Sequence, residues 1–261
     1  MTAQTTAPAF GWRVFGIGVI AVAVVVFALR DVDPAGQASR ASPGHTLLAC
    51  ATAGVLLIAG AALEWRRTVA WAAGAITAYY AVVIVGFKDG GLILRHAGEF
   101  MAYSNTAEQL AVLAAALIVF ATYARIDPAL AARLTRAGQL AFGVCAILFG
   151  GAHFFYMGMT APLVPAWLPP SQLFWGYATG VFHIAAGVAI LTGVKDRLAA
   201  VLLTIMYAAF TPLVHLPMLW ADPASHRNWT ENVTNLILTG AAWVVADSLA
   251  RVGRGRVSLG R

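Results

Sequence analysis

The chain has 261 residues, of which 60% are hydrophobic and only 11% charged, against a globular norm of about 25% charged. With a mean hydropathy of +0.76, this composition excludes a water-soluble globular fold and implies an all-α polytopic membrane protein embedded in the lipid bilayer. The net charge of +6 does not imply a nucleic-acid partner, because a membrane protein needs a basic cytoplasmic face in any case.

Apolar windows between charged or proline-rich breaks predict eight transmembrane helices, at 11–29, 46–63, 68–87, 106–124, 137–157, 172–193, 198–220 and 232–250. The first resembles a signal peptide in carrying Arg13 before an apolar run, with the small residues of 35–39 as a loose cleavage site. A later recurrence of its pattern argues that it is retained. Glu64-Trp65-Arg66-Arg67 and Val194-Lys195-Asp196-Arg197 are turns too short to fold alone, so they join antiparallel neighbours. Placing both termini in the cytoplasm puts 12 of the 17 lysines and arginines on that side, as the positive-inside rule requires. The opposite face keeps Arg30, Arg40, Lys88, Arg95 and Arg227. The basic tail RVGRGRVSLGR lacks hydrophobic periodicity and is expected on anionic lipid. Cys50 and Cys145 form no C-x-x-C, so dithiol chemistry lacks its parts.

The second half repeats the first in order. Phe15-Gly16 matches Phe142-Gly143, Pro43 matches Pro169, Gly54-Val55 matches Gly180-Val181, Arg67 matches Arg197, and Asn105 and Glu108 match Asn228 and Glu231. Four spans per copy is an even number, so the duplication is parallel. It predicts two four-helix bundles, 1–124 and 137–261, joined by a cytoplasmic linker 125–136.

Between about Gly138 and Asp247 the order of features resembles the DoxX-like family of four-helix membrane proteins. The stretch Leu163-Val164-Pro165-Ala166-Trp167-Leu168-Pro169 is similar to that family's first external loop. The run TGVFHIAAGVAILTGVKDRLAAVLL looks like its second helix, basic turn and third helix, and Thr211-Pro212-Leu213-Val214-His215 resembles the end of the third. The family often carries Glu where this chain has His183, so no role carries over to that position. Because the family includes a membrane subunit of thiosulfate:quinone oxidoreductase, the resemblance implies a redox association and a redox or other membrane-protein partner.

Ionisable side chains at membrane depth are costly and mark functional candidates. At 1.5 Å per residue, His153 lies roughly 8 Å and His215 roughly 5 Å below the outer surface, with His183 near mid-membrane at roughly 16 Å. Glu231 begins the last helix and Asn235 follows one turn deeper. The pairing of copies sets His153 opposite Val26, His183 opposite Leu57, His215 opposite Val85 and Asn235 opposite Val112, so only Glu108 persists in the first half. His153, His215 and Glu231 have the composition of a two-His-one-carboxylate site for a transition metal. A quinone would use His153, His183, His215, Glu231 and Asn235 as polar partners, with Tyr156 and Trp175 among its apolar walls. The plain alternative is that these groups only bond neighbouring helices. His45, His96 and His226 are expected in solvated loops, and Asp247 as a solvated i, i+4 partner of Arg251. Two functions remain open: a membrane redox subunit binding quinone or metal near the outer face, and a non-catalytic assembly or anchoring module. A transporter is set aside, because neither broken helices nor paired acidic and basic groups at mid-membrane are legible.

Overall fold

The computed structural model describes residues 9–31 and 44–259, with side chains as far as Arg251. Arg40, Pro43, the small residues of 35–39 and the side chains of Arg254, Arg256 and Arg261 lie outside the described residues. Among the described residues, eight helices are long and apolar enough to cross a membrane: α1 (Gly11–Leu29), α2 (His45–Leu63), α3 (Val69–Arg95), α4 (Phe100–Tyr123), α5 (Pro128–Phe155), α6 (Gln172–Thr192), α7 (Asp196–Ala221) and α8 (His226–Leu259, apolar as far as Arg251). The protein is an all-α polytopic membrane protein. An even number of crossings puts the start of α1 and the end of α8 on one face, here the terminal face, opposite the far face.

Two boundaries differ instructively from the hydropathy reading. The expected linker 125–136 shortens because Asp127 caps α5, its Oδ1 accepting from the Leu130 N–H at 2.9 Å, with Pro128 in the first turn. An aspartate followed by proline is a helix-start signal that hydropathy does not register. α3 runs past the expected end at 87 to Arg95, and Tyr80–Asp89 within it is π-helical. A shorter π segment, Thr211–His215, interrupts α7. Beyond Arg251 the basic tail continues as helix to Leu259.

Within each half, successive helices pack against one another: α1 on α2, α2 on α3, α3 on α4, then α5 on α6, α6 on α7, α7 on α8. The halves are joined where α1 packs on α8 and α4 packs on α5, with α4 against α8 at the centre. Each contact maps onto another when α1 to α4 are exchanged with α5 to α8. Burial follows the same exchange at one register. On α1, Gly11, Trp12, Phe15, Gly16, Gly18, Val19 and Ala23 are buried, and so are Gly138, Gln139, Phe142, Gly143, Cys145, Ala146 and Gly150 of α5. Ala49, Ala53, Leu56, Ala59, Gly60 and Leu63 answer to Gly176, Gly180, His183, Ala186, Gly187 and Ile190. Ala72, Ala73, Ile76 and Tyr80 answer to Ala199, Ala200, Leu203 and Tyr207. This step is constant through three helices, whereas sequence matching alone shifts it at the loops. His183 therefore stands at the position of buried Leu56, not of exposed Leu57.

Small residues set the closest crossings. On α5 and α6, a Cβ on Gly187 would lie 2.5 Å from the Gly143 carbonyl oxygen, and one on Gly150 would lie 2.6 Å from that of Gly180. Such approach admits the dense van der Waals packing that holds helices together where lipid supplies no hydrophobic drive. Polar pins fix the ends. Asp247 of α8 accepts from the first N–H of α1, Gly11, at 3.0 Å, where a carboxylate also meets the positive end of the helix dipole. Arg251 instead donates to Thr122 Oγ1 at 2.9 Å, so the expected solvated Asp247–Arg251 pair is replaced by two ties between helices. Arg136 of α5 donates to the carbonyls of Ile190 and Leu191 at 3.2 and 2.9 Å, capping the end of α6. In the turn after α2, Glu64 faces Arg13 at 3.6 Å. Burial raises its carboxyl above the ordinary range, and the Arg13 charge pulls it partly back.

Candidate functional site

The two deepest histidines meet. His153 on α5 and His183 on α6 have ring centroids 5.0 Å apart, although counting along the helices separates their Cα atoms by about 8 Å of depth. Side chains lean toward the N-terminus of their own helix. On antiparallel neighbours His153 leans inward and His183 leans toward the far face, and the gap closes. Each ring donates Nδ1–H to the carbonyl one turn back, Phe149 and Thr179, both at 2.8 Å. A carbonyl only accepts, so Nδ1 carries the proton and the neutral imidazole has its lone pair on Nε2.

Tyr207 of α7 completes the cluster. Its ring centroid is 5.4 Å from that of His183, the residue is 3% exposed, and its buried hydroxyl has no hydrogen-bond partner. A donor left unpaired in a membrane interior calls for an explanation. Neither composition nor spacing flags Tyr207. Its one sequence signal is Tyr80, its counterpart in the first half.

Asn235 of α8 lies behind Tyr207, donating through Nδ2 to the Tyr207 carbonyl at 3.0 Å and to Thr211 Oγ1 at 2.9 Å. It braces α7 where the α register gives way to the π turn, with Pro212 lacking an N–H there. Asn235→Leu should lower stability by about 2 kcal/mol, since two buried acceptors lose their donor. A thermal melt in detergent checks this, and an unchanged midpoint would contradict it.

The other expected site residues are not brought to this cluster. His215 lies in the π turn of α7 with a buried Nδ1 that has no protein partner. Glu231 turns to Arg227, Nε to Oε1 at 3.6 Å, one helical turn away. Tyr156 packs on Phe100 and Phe155, at centroid distances of 6.3 Å. The expected metal trio His153, His215 and Glu231 does not converge, and among the described residues no three His, Cys, Asp or Glu side chains do. Similar depth on three helices had suggested convergence, but rotation about each axis sends these side chains to different neighbours.

Trp175 stands on the other side of α6. Its indole N–H donates to the Pro169 carbonyl at 2.8 Å, and its ring lines an apolar groove of about 600 Å³ between α6 and α7. The groove runs from Val164 and Leu168 near the far face down to Lys195, with Thr179, Ala186, Leu203 and Phe210 on its walls. The groove lies along the seam between α6 and α7, the helices that carry His183 and Tyr207.

The first half is not stripped of polar groups. Thr52, Tyr79, Tyr80, Lys88 and Glu108 line an internal pocket with Val22, Val26, Leu56 and Ile84. At the register set by burial, Thr52, Tyr79, Tyr80, Val22, Val26 and Leu56 answer to Thr179, Met206, Tyr207, Phe149, His153 and His183. The pocket therefore occupies the place that the histidine cluster fills in the second half. Lys88, expected in a loop, pairs within α3 with Asp89 at 3.0 Å, and the Asp89 side chain is 1% exposed. His45, also expected in solvent, meets Asp31 at 3.1 Å with 11% and 3% of their side chains exposed. Of the expected solvated histidines, His96 pairs with Glu99 in an exposed contact at 2.9 Å.

Residues 140–246, which take in most of α5 and run through α6 and α7 into α8, match a family model described as a domain of unknown function, DUF8561. No curated protein and no solved structure matches the chain.

Proposed function

We propose that the protein is a tandem pair of DoxX-like four-helix bundles, with both termini in the cytoplasm, and that it serves as a membrane subunit of a redox system. The second bundle is the binding site for a quinone or quinol. The observation carrying this reading is the buried Tyr207 hydroxyl without a hydrogen-bond partner, on a ring packed against His183, which in turn packs against His153. A quinone carbonyl accepts from the tyrosine, and a quinol hydroxyl donates to an imidazole. The α6–α7 groove supplies an apolar berth of a size usual for small-molecule sites, suited to an isoprenoid tail whose head enters across the seam. The matching helix contacts and burial patterns of the two halves support the duplication, and the concentration of basic side chains near the terminal face supports the orientation.

The experiment is a titration of the purified protein in lipid nanodiscs with a short-tailed benzoquinone and its quinol, read by quenching of tryptophan fluorescence, since Trp175 lines the groove. Saturable binding is expected. Tyr207→Phe and His183→Leu, the latter copying Leu56, should each weaken it about tenfold, the worth of one hydrogen bond of about 1.4 kcal/mol. Equal binding by both variants would overturn the reading. Destabilised variants with no saturable binding in any protein would favour the second function, an assembly or anchoring module whose polar groups only fix packing.

A further inference from the structure

The pocket of the first bundle differs in kind from the cluster that answers to it. It holds about 100 Å³ of free space, below the roughly 300 Å³ at which small-molecule pockets begin but room for several waters. Its polar lining is ionic: Lys88 from α3 and Glu108 from α4, with the Tyr79 hydroxyl donating to Thr52 Oγ1 at 2.9 Å. The Lys88 side chain lines the pocket and is 31% exposed, while Asp89, which it meets at 3.0 Å, is enclosed. Ionisable groups this deep in a helical span are retained at a cost and line ion or proton paths more often than packing seams.

We propose that this pocket is a hydrated proton-exchange site, in which the Glu108 carboxyl gives its proton to pocket water and so to the far aqueous face. The O–H bond of the acid breaks, its electron pair stays on the carboxylate, and the proton leaves as hydronium past Lys88. The Lys88 ammonium, lining the same small space, stabilises the carboxylate that remains. Among the described residues, the titratable groups that line the pocket with Glu108 are Lys88, Tyr79 and Tyr80 from α3, with Asp89 paired to Lys88 and Tyr207 of α7 within reach of the Glu108 charge. Among the described residues, the lining from α1, α2 and α8 brings aliphatic and threonine side chains, and α4 adds Gln109.

The test is infrared difference spectroscopy of the protein in lipid nanodiscs as bulk pH is stepped, in H2O and in D2O. Because the chain has 11 Asp and Glu, the Glu108 signal is isolated by subtracting the Glu108→Gln spectrum, and the difference should contain a protonated-carboxyl stretch that titrates with bulk pH and shifts promptly in D2O. The same difference should be retained in a Glu231→Gln background and exchange more slowly in Thr234→Phe, where the ring fills the pocket. A difference with no titrating carboxyl band, or with a band that does not shift in D2O, would overturn the proposal. No quinone enters this measurement, so its failure is distinct from failure of the second-bundle site.

Discussion

Gly240→Leu should unfold or strongly destabilise the protein, because α1 and α8 touch there backbone to backbone. A Cβ on Gly240 would sit against the backbone nitrogen of Phe15 and 2.5 Å from its Cα, and Cβ atoms on Gly18 and Gly11 would lie 2.6 Å from the Ile237 Cα and 2.7 Å from the Val244 nitrogen. No side chain stands between these helices to move aside. Overpacking usually costs about 1–3 kcal/mol, and a clash that can be relieved only by separating two helices belongs at or above the top of that range. Because α1 and α8 come from opposite halves, the substitution also splits the bundles apart. Gly54 provides the control, since a Cβ there meets nothing within 4 Å. Thermal melts in detergent should show Gly240→Leu losing its folded fraction and Gly54→Leu close to wild type. Similar midpoints would show that the α1–α8 crossing is not fixed by glycine.

Lys88→Met should destabilise the first bundle. It takes the ammonium from 3.0 Å beside a carboxylate that is 1% exposed. Breaking a buried pair on one side costs about 3–5 kcal/mol, whereas replacing both partners with apolar groups is often neutral. The double variant Lys88→Met with Asp89→Leu should therefore recover most of the lost thermal stability. Additive losses in the double variant would mean that the two charges are not coupled.

The helices themselves were legible in the chain, since twenty-odd apolar residues in lipid have no other stable form. The charged turns at Glu64 and Val194 marked their hairpins correctly. Hydropathy failed where a helix carries charge. The Lys88-Asp89 doublet lowers the window average and ends α3 early on paper, yet lysine can snorkel and the helix continues. Depth was nearly legible and rotation was not. Residue counting placed His153 and His183 too far apart because it ignores the lean of side chains, and it could not see Glu231 turning along its own helix to Arg227. Register was lost in the same way. In a chain rich in Ala, Val and Leu many alignments score alike, and burial was needed to place His183 opposite Leu56. The grounds for setting transport aside also weaken, since α3 and α7 both carry π segments and α3 holds an acid–base pair within its span.

The central claim is that the second bundle holds its histidine–tyrosine cluster for a ligand. The most direct measurement is a density map of the protein in lipid nanodiscs with a long-tailed quinone added, resolved well enough to show side chains. The account predicts density for a ring between His183 Nε2 and the Tyr207 hydroxyl, with a tail continuing into the α6–α7 groove. A cluster closed on itself, with Tyr207 bonded directly to His183 and only lipid chains in the groove, would contradict it.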